Sequence, residues 1–167
     1  MTRRDTIIKW IAYGVALAVT TIFNYYILGP LPISLPLLLP MAAIAAGILE
    51  GARFGAGFGL AAGLIMTAMG HAELFCIPVL AFIGWLCGLL SRHVLRRDLV
   101  GYLLCAVIVV IIWEVWQVVR HLIENTAPLA TLVRVALPEL LWTLVFCVPV
   151  YWANRFCCIH YGRIYHE

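Results

Sequence analysis

The stretch LVGYLLCAVIVVIIWEVWQVV, from Leu99 to Val119, decides the fold. It carries one charged side chain, Glu114, and neither Pro nor Lys nor Arg. A helix rises about 1.5 Å per residue and a bilayer core is about 30 Å thick, so roughly 17–25 apolar residues suffice to cross it. This run is long enough and oily enough to be a transmembrane helix.

Working outward, five further apolar runs follow the same logic: 7–28, 34–49, 54–69, 74–90 and 137–158, which with 99–119 make six spans. The first stops at Gly29-Pro30-Leu31-Pro32, where prolines remove backbone donors. The second is short, and Pro36 and Pro40 predict an irregular outer turn that protein must cover. Glu50-Gly51-Ala52-Arg53, Gly70-His71-Ala72-Glu73 and the polar block Ser91–Asp98 separate the next three. The longer connection from Arg120 to Val135 places Leu129, Leu132, Val133 and Ala136 at helical spacing, predicting a helix at the membrane surface.

Composition agrees. Hydrophobic residues are 65% of the chain and charged residues 11%, against roughly 45–50% and 25% in soluble domains. A soluble protein of 167 residues could not cover that much apolar side chain. The expected fold is therefore all-α: a single polytopic membrane domain over 1–167. The N-terminal run resembles a secretory signal with an A-x-A at Ala16–Ala18, yet its apolar stretch continues to Leu28, so a retained first helix is expected.

Charge sets the orientation. With the N-terminus inside, the cytoplasmic side holds Arg3, Arg4, Lys9, Arg53, Arg92, Arg96, Arg97, Arg155 and Arg163, and the outer side only Arg120 and Arg134. Nine against two predicts an even number of spans, both termini cytoplasmic and a multi-pass protein of the bacterial inner membrane. No basic stripe lies outside the gaps between apolar runs, so nucleic acid is not an expected partner.

The residues that could carry function are few. Gly51, Gly55, Gly59 and Gly63 recur every fourth residue, with Gly47 one step earlier and Gly84 and Gly88 on the next span. Close backbone packing holds helices together in lipid, so these stripes mark a near neighbour, either within the chain or on a partner. Glu114 and Gln117 lie inside the fifth span, and a charged residue at a helix centre costs roughly 2.5–3.5 kcal/mol. A hydrogen bond from Glu114 to Arg134, Trp142 or Thr143 would offset part of that. Trp113 and Trp116 read as interfacial anchors. Pro138 and Glu139 read as ordinary helix-start chemistry, an acid meeting the positive end of the sixth helix. Pro149 should kink that helix or leave a carbonyl unpaired.

The six cysteines form no CxxC pair and the five histidines no metal-ligand spacing, so neither metal nor cofactor is expected. Acylation at the adjacent Cys157 and Cys158 is conceivable. No Walker sequence, nucleophile set or line of charges across successive helices is present, which disfavours an enzyme or a pump.

Three stretches resemble the MreD family, the membrane subunit of the bacterial rod-shape (elongasome) system, in order and spacing over essentially the whole chain. They are Gly51–Leu64, the Trp113-Glu114 region, and Leu137-Pro138-Glu139-Leu140-Leu141, followed by Pro149 and a basic tail. Many members carry an Asp after the glycine-rich span; here Thr67 stands at that position.

The resemblance implies a non-enzymatic scaffold supporting lateral peptidoglycan synthesis and cell shape. Its implied partners are the single-span protein MreC, a RodA-like glycosyltransferase, a transpeptidase and MreB. It also implies a fold similar to the six-helix substrate-binding subunits of energy-coupling-factor vitamin transporters. Such a vitamin-binding subunit is the alternative reading. A partner groove is expected beside the third helix or at the outer ends of the fifth and sixth.

Overall fold

A computed structural model describes residues 3–29, 37–70, 72–93, 98–123 and 129–161. Six helices account for nearly all of them, with no strand among the described residues: α1 (Arg3–Ile22), α2 (Leu38–Glu50), α3 (Ala52–Ala68), α4 (Cys76–His93), α5 (Leu99–Ile123) and α6 (Leu129–Tyr161). Helix α1 continues as a wider π-helical turn over Phe23–Leu28. Just before it, the hydroxyls of Thr20 and Thr21 donate to the carbonyls of Ala16 and Leu17, both at 2.8 Å. Such back-bonding locally loosens a helix.

Three helical segments, Ile7–Leu28, Leu99–Ile123 and Ala136–His160, are long and apolar enough to cross a membrane; α2, α3 and α4 are shorter apolar helices. The outer surface is oily in the way lipid requires. On α1, Ile7, Ile11, Val15, Val19 and Ile22 are exposed at three- and four-residue spacing. On α6, Leu137, Leu141, Val145, Trp152 and Phe156 are exposed as well. Continuous apolar stripes of this kind are not tolerated in water. The chain is an all-α membrane helix bundle.

Helix α2 is its axis. From Leu38 to Leu49 every residue is buried, with Met41, Ile44, Ala45, Ala46 and Ile48 fully enclosed. A helix that is hydrophobic all round has no polar face to offer, and belongs at the centre. All five other helices pack around it. Helices α3 and α4 form the tightest pair, α5 lies against α6, and α1 lies against α6. Trp10 of α1 closes the ring by stacking on Phe54 and Phe58 of α3, with ring centroids 4.2 and 5.5 Å apart.

Several expectations are revised here. The described parts of the Arg120–Val135 connection are helical: α5 continues to Ile123, and α6 begins at Leu129 and runs unbroken. Residues 129–136 are therefore continuous with the last helix and not a separate surface helix, since no Gly or Pro interrupts them. Pro138 and Glu139 consequently lie well inside α6, not at its head, as does Pro149. The expected irregular turn at Pro36 and residues 34–36 of the second run lie outside the described residues, whereas Pro40 is buried within α2.

Candidate functional site

The glycines come first, because they fix how the helices approach. A methyl built on Gly84 of α4 would lie 2.1 Å from the carbonyl oxygen of Gly55 on α3. One built on Gly59 would lie 2.2 Å from the Leu80 carbonyl oxygen, and one on Gly63 2.7 Å from the Ile77 Cα. Gly47 of α2 and Gly88 of α4 are equally confined, by the Gly84 carbonyl oxygen and by the Ala52 backbone. Backbone meets backbone throughout. Of the two readings of the stripe, the geometry is that of packing within the chain: α4 and α2 fill the groove beside α3.

Gly51 differs from the others. A methyl there would meet nothing within 4 Å, but its φ of +100° is one that side-chain-bearing residues rarely adopt. It is the whole link between α2 and α3, and its glycine serves the turn rather than the contact.

One end of the bundle is locked by a cluster the sequence did not disclose. Lys9 and Glu50 form an ion pair with both side chains buried. The Tyr13 hydroxyl donates to the other Glu50 oxygen at 3.0 Å, and the Lys9 ammonium sits 4.5 Å from the Phe54 ring centre. The Cys157 thiol lies 3.9 Å from the Ala12 carbonyl oxygen, and Cys158 is fully buried, so the latter offers no accessible acylation site.

The opposite end gathers a second set of polar residues. A pocket of about 110 Å³ is lined by Asn24 and Tyr25 from the π-helical turn, 37–40 at the start of α2, Met66 of α3, Trp113 and Gln117 of α5, and Glu139 of α6. Asn24 is 3% exposed and Trp113 8% exposed, yet among the described residues Asn24 Oδ1 and Trp113 Nε1 have no hydrogen-bond partner. The buried Glu114 Oε1 has none either. Glu114 and Glu139 are electrostatic neighbours. An unpartnered buried polar atom costs about 1–3 kcal/mol, so the two on the pocket's lining residues, with Glu114 Oε1 next along α5, are a substantial local cost.

Two expectations fail here. Thr143 cannot serve Glu114, because its hydroxyl donates to the Glu139 carbonyl at 2.7 Å and accepts from the Leu37 backbone N–H at 3.0 Å. Trp113 is no interfacial anchor, being turned into the bundle, whereas Trp116 is 57% exposed and remains free for that role.

Of the residues singled out in the sequence, the pocket brings together Gln117 and Glu139, with Glu114 beside them. Pro138 is exposed and does not line it. With Glu114, Gln117 and Glu139, Asn24 is one of the few polar side chains the sequence offers near the outer face for a ligand; the π-helical turn that buries it has no sequence signal of its own. Among the described residues no group of three or more His, Cys, Asp or Glu could hold a metal ion, and all six cysteines are unpaired. No protein-family model, curated protein or solved structure matches the chain.

Proposed function

We propose that this chain is a non-enzymatic membrane subunit of an MreD-like kind. It would bind a single-span MreC-like protein and support the lateral wall-building machinery of the bacterial inner membrane. The observation that carries the reading is a convergence. Two of the three stretches on which the resemblance rests, Trp113-Glu114 and 137–141, lie far apart in sequence and meet at one end of the bundle. The third, the glycine-rich stretch, is consumed in holding α3 against α4 and α2. With that groove filled from within, the outer ends of α5 and α6 are the place for a partner helix. They present Ile112, Val115 and Trp116, and Leu137 and Leu141, outward.

Co-purification with an MreC-like partner in mild detergent tests the reading. Trp116→Ala and Leu141→Ala remove exposed side chains and should leave the fold intact while reducing partner recovery several-fold. Undiminished recovery in the double variant would remove the proposed surface. Depletion of the protein should give rounded cells, and rod-shaped cells after depletion would sink the functional assignment.

The pocket also gives the vitamin-transport reading one observation in its favour, converging polar groups. Its volume weighs the other way. About 110 Å³ falls well short of the roughly 300–1,000 Å³ of pockets that enclose drug-sized ligands. A vitamin retained through purification, or a co-purifying ATPase, would reverse that preference.

A further inference from the structure

We propose that the pocket between the π-helical turn of α1 and helices α2, α3, α5 and α6 binds a small primary ammonium group of the ethanolamine type. The pocket's own chemistry sets the class of ligand. Its lining offers a buried acceptor with no partner among the described residues, Asn24 Oδ1, together with the two oxygens of the Glu139 carboxyl. An ammonium has three N–H donors, which matches that set. Among the described residues no Lys or Arg lines the pocket. Of the outer-side cations, Arg120 is paired with Glu73 and Arg134 is exposed.

The remaining features fit a group with an oxygen beside its nitrogen. Trp113 Nε1 is an unpartnered donor on the same wall and would meet that oxygen. A volume of about 110 Å³, well below that of pockets for drug-sized ligands, suits a small polar head. Free ethanolamine and the headgroup of phosphatidylethanolamine share this chemistry.

The test uses the full chain with no partner present, so its outcome is independent of the MreC-like reading. One arm titrates ethanolamine into detergent-purified protein. The other compares nanodiscs of phosphatidylglycerol alone with nanodiscs containing phosphatidylethanolamine or phosphatidylcholine. Thermal midpoint and retained lipid by native mass spectrometry are the readouts.

The expected result is a rise in midpoint with ethanolamine or phosphatidylethanolamine and none with phosphatidylcholine, whose quaternary nitrogen has no N–H to donate. A response confined to the nanodiscs names the lipid as the source, and one to free ethanolamine names a soluble amine. Glu139→Gln should weaken the effect at least tenfold. Asn24→Asp, which adds negative charge while keeping the shape, should strengthen it. This opposite sign keeps the test decisive if Glu139→Gln folds poorly. No shift with either amine, equal shifts with phosphatidylcholine, or an Asn24→Asp response no stronger than wild type would overturn the proposal.

Discussion

At the scale of single residues, glycine and a buried ion pair carry the sharpest consequences. Gly84→Ala places a methyl against the Gly55 carbonyl, backbone that cannot rotate away. The loss should reach or exceed the upper end of the roughly 1–3 kcal/mol typical of overpacking, read as a large drop in thermal midpoint in detergent. Gly14 provides the contrast, since a methyl there meets nothing within 4 Å. Gly14→Ala should stabilise, by up to about 1 kcal/mol through helix propensity.

Lys9→Met leaves Glu50 charged and enclosed, which should cost about 3–5 kcal/mol, while adding Glu50→Leu should restore most of it. A double variant no more stable than the single one would show that the pair does not act as a unit. The glycine contacts were legible in the sequence because a four-residue repeat is a local pattern. The Lys9–Glu50 pair was not, because each residue reads alone as a charge flanking an apolar run. Only the placement of α1 beside the end of α2 makes them partners.

At the scale of elements, the cross-connection made by Thr143 offers a clean measurement. Its hydroxyl satisfies the Leu37 N–H, which is buried just before the start of α2. Thr143→Val keeps the shape and removes that acceptor, so the cost should be about 1–3 kcal/mol, with Thr143→Ser recovering most of it. Equal stability of the Val and wild-type proteins would mean that Leu37 finds another partner.

The helix boundaries themselves were largely readable. The spans at 7–28, 54–69, 74–90 and 99–119 agree with the observed helices to within a few residues. The start of α6 was misread because Pro138 and Glu139 mimic a helix head. Proline is also accepted within a helix where neighbours cover the freed carbonyl, and a local pattern cannot tell the two cases apart. The central position of α2 had a signal that length alone obscured. LLPMAAIAAGIL has no polar side to turn outward, which is the mark of a helix wrapped by others.

At the scale of the whole molecule, the proposed six-crossing topology makes a definite statement about its two ends. Reporter fusions after residue 161 should be active as cytoplasmic reporters and silent as periplasmic ones, and a cysteine placed at Ala72 should label from outside. A periplasmic tail would break the charge argument. The candidate pocket follows from the same layout, since the end of α1 and the starts of α2 and α6 all point to one side. Its members come from five separate apolar runs, so no local pattern could have assembled them.

The unequal lengths of the helices have a consequence for the surrounding lipid. Helices α3 and α4, of 17 and 18 residues, reach only about 26–27 Å, whereas α5, of 25 residues, reaches about 37 Å. Acyl chains flanking the first pair must therefore shorten, while those beside the other must stretch or the helix must lean. The protein would then carry a lopsided collar of deformed bilayer. A second membrane protein with a similarly short flank would be drawn to the thinned side, because sharing one dent costs less than maintaining two.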